Sequence, residues 1–296
     1  MRNILVTFGL CLILATSATG DEPKAPQLLF ASNRTGNSEI FLIGADGSDP
    51  KNLTDNPASD VDPAWSPDGK KIAFASDRSG AFAIHVMDAD GNNVMQLTKE
   101  ADAVDRQPAW SPDGKRIAFR RGVGNRWDIA IMDAEGANPT ILTNTSARNT
   151  DPAWSPDGKK IAFASQTIGK GYSVYVMDPD GSNIQDVSHS ENRRGNVFPA
   201  WSPDGKKIVY GEAVGAAVEI FVCDIDGSSN KQLTQLGGNN SHAAWSPDGK
   251  KIAFMHFSPV DRTAALYIME ATGDNPKEIL KDEGTVQGGR PAWKPK

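Results

Sequence analysis

The sequence predicts an all-β protein, a six-bladed β-propeller with four-stranded blades in which one blade is shared between the N- and C-termini. Three observations indicate this fold: a repeat of about 45 residues, apolar segments separated by Asp-Gly and Pro-Asp-Gly turns, and an incomplete repeat at each end of the chain. A period of this length accommodates four short strands, which is one propeller blade. The 28 glycines and 19 prolines suit many turns and few helices.

The repeat is carried by the string PAWSPDGKKIAF, which starts at Pro63 and returns with small changes at Pro108, Pro152, Pro199 and Ala243. Six tryptophans belong to this series, at spacings of 45, 44, 47, 44 and 48 residues: Trp65, Trp110, Trp154, Trp201, Trp245 and Trp293. Regular recurrence over most of the chain predicts copies of one structural unit.

The second strand of a repeat has two apolar faces. Ile72 and Phe74 point to one face, whereas Ala73 and Ala75 point to the other. We expect this pattern in a blade packed between two neighbours, because the bulky face of one blade then fits against the small face of the next.

The third and fourth strands are predicted from Ala83 to Met87 and from Val94 to Thr98, with a turn at Asp90-Gly91. Asp-x-Asp-Gly sequences also begin calcium-binding loops, and they occur here at Asp88, Asp178 and Asp224. The later ligands of such loops are missing, so hairpin geometry explains the motif better. We expect no cofactor and no metal site. A cation such as calcium in the channel is the alternative, and no sequence feature supports it.

The last tryptophan lies in PAWKPK, where the chain stops after a single strand. The other strands of that repeat are found at the N-terminus, where these segments align: 28–32 with 72–76, 40–43 with 84–87, and 52–54 with 96–98. We therefore expect the two ends of the chain to build one blade together, which closes the ring and leaves no long sheet edge exposed.

The N-terminus predicts export from the cytoplasm. Arg2 precedes an apolar run from Ile4 to Ala15, and small residues follow up to Gly20. This pattern is typical of a signal peptide at residues 1–20, and the apolar run is shorter than the roughly 20 residues of a membrane span. We expect a short linker at 21–26, the propeller at 27–296, and a periplasmic or secreted product without a transmembrane segment.

Charge and cysteine content narrow the function classes. The formal net charge is −6, which disfavours nucleic acid as a partner. Beyond the leader the only cysteine is Cys223, so no intrachain disulfide is expected. The sequence contains no G-x-S-x-G, C-x-x-C or H-E-x-x-H motif, so the usual signatures of serine hydrolases, structural zinc sites and metalloproteases are missing.

Candidate binding residues are found where the repeats differ. The residue before each PAW or AAW string is expected at the mouth of the central channel, and it varies around the ring: Asp62, Gln107, Asp151, Phe198, His242 and Arg290. At the end of the second strand, serines in three repeats are replaced in the others by Arg121, Glu212 and His256. Arg126 and Trp127 follow in the next loop. A rigid scaffold that presents different side chains at one mouth is typical of a binding site, and neutral variation in exposed loops is the alternative.

These repeats resemble those of the periplasmic TolB family, whose propeller carries W-S-P-D-G-K-K-I-A-F, D-x-D-G and Q-L-T elements. The resemblance covers residues 27–296 and implies a six-bladed propeller that binds other envelope proteins. TolB proteins also have an N-terminal α/β domain that contacts inner-membrane Tol proteins, whereas here we expect the propeller to start at residue 27, shortly after the predicted cleavage site. The resemblance therefore implies the role of the propeller part only.

Two function classes follow. The first is a non-catalytic envelope protein, monomeric, that binds a protein or peptide at the channel mouth. The second is a carbohydrate-active lyase or hydrolase acting at the same mouth, since propellers also occur in oligogalacturonate lyases. A lyase is expected to gather several histidines and acids around a metal, whereas the mouth has only His242 and His256. The sequence favours the binding protein.

Overall fold

The structure, a computed structural model of the 296-residue chain, describes residues 25–166, 171–188, 197–260, 262–282 and 290–296. The predicted signal peptide and most of the predicted linker lie outside these ranges. The described residues form strands and turns without a helix, and accordingly none of them belongs to a helix able to cross a membrane.

The strands, in chain order, are β1 (Gln27–Ser32), β2 (Glu39–Gly44), β3 (Lys51–Asn52), β4 (Asp60–Trp65), β5 (Lys71–Ser76), β6 (Ala83–Asp88), β7 (Met95–Gln96), β8 (Ala103–Trp110), β9 (Arg116–Val123), β10 (Arg126–Asp133), β11 (Thr140–Ile141), β12 (Arg148–Trp154), β13 (Ile161–Gln166), β14 (Tyr172–Met177), β15 (Gln185–Asp186), β16 (Val197–Trp201), β17 (Lys207–Val214), β18 (Ala217–Asp224), β19 (Lys231–Gln232), β20 (Asn239–Trp245), β21 (Lys251–Phe257), β22 (Ala264–Glu270), β23 (Lys277–Asp282) and β24 (Ala292–Trp293).

These strands form antiparallel units of four. β4 to β7 make one sheet in chain order, and β24, β1, β2 and β3 make another. Two larger sheets each join two such units, β8–β11 with β12–β15 and β16–β19 with β20–β23. The joints are single parallel pairs, Trp127 with Arg148 and Val218 with Asn239. The architecture is that of an all-β propeller.

The turn after each tryptophan is fixed by a serine and an aspartate. Ser66 Oγ donates to Asp68 Oδ1 at 2.6 Å and accepts from the Lys71 amide at 2.9 Å. Gly69 adopts a φ of 66°, which favours glycine. The same two serine contacts recur at Ser111, Ser155, Ser202 and Ser246. The hydrogen bonds of this turn therefore explain why the Ser-Pro-Asp-Gly sequence recurs in five repeats.

The core lies between neighbouring units, as the two apolar faces predict. Ile72 and Phe74 of β5 pack in one cluster with Leu29 of β1. Ala73 and Ala75, on the opposite face, pack in another cluster with Phe119 of β9. Each unit thus presents its bulky face to the preceding unit and its small face to the following one.

The outermost strand β7 is shorter than predicted. β7 covers only Met95 and Gln96, whereas the sequence predicts a strand from Val94 to Thr98. The cause is local: Thr98 Oγ1 accepts the Ile84 amide hydrogen at 2.9 Å, so a side chain satisfies a donor that a longer strand would have bonded through its backbone.

Glycines of the Asp-Gly turns allow the units to approach closely. Gly91 has a φ of 97°, and a Cβ atom there would lie 2.5 Å from the carbonyl oxygen of Leu53 in the preceding unit. Similarly, a Cβ atom at Gly47, near the N-terminus, would lie 2.5 Å from the carbonyl oxygen of Ile279, near the C-terminus. A side chain at either position would push two units apart.

The strands that carry the tryptophans contact one another in succession: β4 with β8, β8 with β12, β12 with β16, β16 with β20, β20 with β24, and β24 with β4. β24 pairs antiparallel with β1, so that Trp293 lies opposite Leu28 and Ala292 opposite Leu29. Trp293 is buried, and its indole Nε1 donates to the Ala244 carbonyl at 3.0 Å.

Deleting residues 291–296 removes β24 and is expected to destabilise the protein strongly. Loss of a buried tryptophan alone costs about 3–5 kcal/mol, a large share of the roughly 5–15 kcal/mol that stabilise a domain. Urea denaturation measures the change. Deleting only residues 295 and 296 is the control, because it leaves Trp293 in place. Equal midpoints for the two truncations would show that β24 is not an integral strand.

Candidate functional site

A central cavity of about 340 Å³ opens where the tryptophan-bearing strands meet. Its wall includes the six side chains that the sequence predicts at the channel mouth: Asp62, Gln107, Asp151, Phe198, His242 and Arg290. Residues nearly 230 positions apart in the chain therefore line one space. Trp65, Trp110, Trp154 and Trp293 also contribute to the wall.

The backbone at the mouth is left-handed. Five of the six mouth residues have a positive φ between 56° and 60°: Asp62, Gln107, Asp151, Phe198 and His242. Non-glycine residues rarely adopt this conformation, and four of these five also precede a proline, which favours extended backbone instead. A register shift in the strand pairing accompanies each position. Each strand thus bulges at its mouth residue, as β-bulges next to functional sites do.

Two polar contacts hold Asp62, the first of the six mouth residues in the chain. Arg106 Nε donates to Asp62 Oδ2 at 2.9 Å, and the Gln107 amide approaches the same oxygen at 3.3 Å. The guanidinium of Arg106 also lies 4.9 Å from the ring centroid of Phe82. Asp62 is therefore neutralised by a neighbouring unit.

Asp151 is the most strongly perturbed acid at the mouth. Its carboxylate accepts a hydrogen bond from Gln107 Nε2, and its amide donates to Gln107 Oε1 at 3.2 Å. Burial raises the pKa of Asp151 to about 6, against the opposing influence of Arg290. Nearby Asp62 raises this pKa further. The mouth therefore changes charge in the mildly acidic range.

The opposite side of the mouth is aromatic. The rings of Phe198 and His242 stack with centroids 3.5 Å apart and planes 27° apart. His242 Nδ1 is 2.9 Å from Ser241 Oγ. Burial lowers the pKa of His242 to about 3, and the positive charges of Arg290 and Arg106 lower it further. His242 is therefore neutral at pH 7 and offers a flat, stacked surface.

Arg290 completes the ring. Its Nη2 donates to the Pro199 carbonyl at 2.9 Å, and no described carboxylate lies within ion-pair distance of it. Burial lowers the pKa of Arg290, while Asp151 and Asp62 act in the opposite direction. Arg290 is half-buried and contributes to the cavity wall.

Comparison with known proteins identifies the family. The description "TolB beta propeller domain" matches residues 15–166 and 101–296, which together span nearly the whole chain. The chain belongs to the TolB β-propeller domain family. No curated protein sequence matches it.

Solved structures show the same fold. TolB from Acinetobacter baumannii superposes with a TM-score of 0.78 at 24% identity, covering 92% of this chain and 67% of that one. A structure from Agrobacterium tumefaciens assigned to TolB gives 0.73 at 20% identity, covering 93% and 100%. An oligogalacturonate lyase from Vibrio parahaemolyticus gives 0.63 at 15% identity, covering 88% and 78%. At these identities the likeness concerns the fold alone.

The other five predicted site residues of this TolB propeller do not line the central cavity. Arg121 forms ion pairs with Asp105 at 2.8 Å and Glu100 at 2.9 Å. His256 Nδ1 lies 2.8 Å from Asn240 Oδ1. The remaining three lie farther out on the same face: Arg126, bonded to Asp128 and Asn144, Trp127, between two arginines, and Glu212, near the Tyr210 hydroxyl. The structure therefore separates a central set of six from an outer set of five.

Three arginines near the mouth are absent from the sequence prediction: Arg106, Arg120 and Arg148. The repeat itself carries a signal for Arg120, which stands where other repeats have Ala31, Ala75 and Ala164. The remaining two repeats have Gly211 and Met255, so this is the only repeat with a charged residue at a position that is otherwise uncharged. Arg106 and Arg148 occupy positions that vary freely among the repeats, so sequence comparison within the chain does not distinguish them.

The opposite face of the TolB propeller carries side chains of both charges. Lys71 pairs with Asp88 at 3.1 Å and Lys207 with Asp224 at 2.6 Å. Asp88 Oδ2 also accepts from Asn93 Nδ2 at 2.6 Å, so the Asp-x-Asp-Gly carboxylate is used within its own turn. Within the described ranges, no three histidine, cysteine or acidic side chains are grouped to hold a metal ion.

Replacing Asp151 with asparagine is expected to stabilise the protein at neutral pH. The pKa of Asp151 is higher in the folded state than its ordinary value of 3.8, so the folded state binds more protons between about pH 4 and pH 6. The stability that this group contributes therefore falls as pH rises through that window. The advantage of Asp151→Asn should grow from near zero at pH 4 to at most about 3 kcal/mol at pH 7.

Urea denaturation at pH 4, 5, 6 and 7 tests this expectation. Asp102→Asn is the control, because Asp102 is exposed and lies outside the turns that Ser-Pro-Asp-Gly segments form. An Asp151→Asn protein less stable than the parent at pH 7 would mean that the ionised carboxylate is needed by the fold.

Proposed function

We propose that this TolB propeller is a non-catalytic cell-envelope protein that binds a protein or peptide partner at its channel mouth. The observation that carries the proposal is the convergence of six different side chains in one cavity, on backbone frames that are otherwise repeated. Because the repeated backbone of the units maintains the fold, these six side chains are available to recognise a partner. Loops and rims on rigid scaffolds commonly serve this purpose.

We further propose that residues 27–296 form a closed ring of six blades, with one blade shared by the two termini. Three features support this arrangement: the pairing of β24 with β1, the contact of β24 with both β20 and β4, and the close approach of Gly47 to Ile279. A closed ring holds the mouth residues at fixed mutual distances. That preorganisation favours tight binding, because little conformational freedom is lost on association.

The charge of the mouth supports an anionic partner. Arg106, Arg120, Arg148 and Arg290 lie at or near it, against the two carboxylates of Asp62 and Asp151. The excess is positive although the chain as a whole is acidic, with a net charge of −6. Such a local field attracts acidic groups and disfavours a bound cation such as calcium. The proposed function needs no cofactor.

Exposed apolar side chains on the same face support a macromolecular partner. Five large hydrophobic residues near the loops of this face are substantially exposed: Val104, Val123, Val214, Leu236 and Val260, the last at 93%. They belong to three of the units, so apolar side chains are exposed on the same face as the charged mouth residues. A protein or peptide can bury both parts at once, as protein interfaces do.

A lyase or hydrolase acting at the mouth has less support. His242, with a pKa of about 3, is a weak base at neutral pH. His256 is engaged with Asn240. Asp151 alone titrates near the working range of an acid–base catalyst, and the binding role explains its position equally well.

We infer a periplasmic or secreted location from the leader at residues 1–20, with cleavage after Gly20, and a monomeric state. The family assignment supports an envelope role for the propeller. The intact mass of the exported product tests the cleavage, and a retained Met1 would contradict it.

Affinity capture from an envelope extract, with residues 21–296 as bait, tests the binding function. We expect a triple variant, Phe198→Ala, His242→Ala and Arg290→Ala, to lose the captured partner while it stays folded. These three side chains are half-buried and lie outside the core between units, so we expect each substitution to cost about 1 kcal/mol of stability. Loss of a binding anchor costs about 2 kcal/mol, roughly thirtyfold in affinity.

The matched control is Lys70→Ala with Lys71→Ala on the opposite face. Calorimetry with the purified partner then compares the two proteins. Normal binding by the triple variant, together with lost binding by the lysine variant, would move the site to the opposite face and contradict the proposal.

A further inference from the structure

Arg120 is an unusual buried charge. It is 8% exposed, and its Nε has no hydrogen-bond partner among the described residues. Other repeats carry Ala31, Ala75 and Ala164 at this position, so the packing of a unit does not require an arginine. Burying an unpaired charge is costly, and burial accordingly lowers the pKa of Arg120. A group retained at such a cost needs a compensating interaction.

The surroundings of Arg120 place several cationic and donor groups together. Its guanidinium lies 4.7 Å from the ring centroid of Trp127, and the guanidinium of Arg148 lies 5.0 Å from the same indole. Two positive charges thus share one aromatic ring, although like charges repel. Neither arginine forms an ion pair with a described carboxylate. Stacking offsets only part of the cost of burying a guanidinium.

Tyr172 provides a further donor at this place. The charges of Arg148 and Arg120 act on its phenol, while burial raises its pKa above the ordinary value of 10. The hydroxyl therefore stays protonated at neutral pH and is able to donate a hydrogen bond. Arg148 and Tyr172 both pair with Gln166 of β13, so the three residues lie in one row across β12, β13 and β14. Arg120 pairs with Arg106 across β8 and β9, and Arg106 bonds to Asp62, so the cluster lies beside the mouth residues.

We propose that Arg120, Arg148 and Tyr172 form an oxyanion subsite beside the mouth, with Trp127 as its apolar support, and that it binds the carboxylate of an acidic side chain in the peptide partner. The inference rests on the proposed function and adds the chemistry of the ligand. Two guanidinium groups recognise a carboxylate through charge-assisted, often bidentate hydrogen bonds. Arg148 is exposed, so the ligand reaches the subsite from solvent.

Titration of the mature chain with a synthetic hexapeptide of glutamate residues tests the subsite. Arg120→Ala installs the residue that other repeats carry, and we expect it to weaken peptide binding at least about tenfold, as loss of a charge-assisted hydrogen bond implies. Its melting temperature should equal or exceed that of the parent, because an unpaired buried charge is removed. Arg148→Ala, a surface change, should weaken binding without altering stability.

Arg116→Lys is the matched control. Arg116 lies 4.8 Å from the ring centroid of Trp154, and the corresponding positions in other repeats are lysines such as Lys71 and Lys160. This variant should bind the hexaglutamate peptide normally. Unchanged peptide binding by both Arg120→Ala and Arg148→Ala would overturn the proposal. A large fall in the melting temperature of Arg120→Ala would equally overturn it, since Arg120 would then be a structural residue.

Inorganic phosphate is titrated in parallel to distinguish the sources of an oxyanion. Arg120-dependent binding of phosphate, with no such dependence for hexaglutamate, would overturn the assignment to a peptide carboxylate. These results are independent of partner capture. A partner that binds elsewhere contradicts the proposed function but leaves an Arg120-dependent peptide site standing. Binding at the mouth without any effect of Arg120 or Arg148 contradicts only the subsite.

Discussion

The left-handed residue at the start of each tryptophan-bearing segment is the constraint on which the mouth depends. Five non-glycine residues hold a φ near 58° at equivalent places, and four of them precede proline. A single strained residue of this kind costs about 1–3 kcal/mol and persists only where the surrounding structure enforces it. Here the enforcement comes from the strand pairing on both sides of the bulge and from the packing of neighbouring units.

Because of this constraint, the residues that maintain the fold are different from the residues that line the mouth. Positions that recur, such as Phe74 and Ala73, fill the space between units, and the Asp-Gly glycines set how closely the units approach. Buried polar contacts add to the frame; Glu219, for example, accepts from Thr234, Asn240 and the Gly237 amide. The six mouth side chains belong to none of the apolar clusters between units. An acidic protein can therefore gather an excess of positive charge at the mouth with little effect on its core.

The propeller fold and the six central residues could be predicted from the sequence, because the same segment recurs and fixes which position enters the channel. The charge network around them could not be predicted. Arg121 is identified correctly as a departure from the repeat, yet its partners Asp105 and Glu100 become apparent only when β8 and β9 are placed side by side. The surroundings of Arg120 depend on the stacking of its guanidinium on Trp127 of β10 and on the contact of β9 with β12 of the next unit. The shortening of β7 depends on one hydroxyl, that of Thr98, replacing a backbone acceptor.

The central claim is that the backbone frame, and not the mouth side chains, maintains the mouth. Urea denaturation of Phe198→Gly tests it directly. Relief of the left-handed strain is expected to offset most of the lost stacking on His242 and the added flexibility of the unfolded chain, so the free energy of unfolding should change by no more than about 1 kcal/mol. A loss of about 3–5 kcal/mol, as for a core phenylalanine, would show that Phe198 is part of the packed core and would contradict this account.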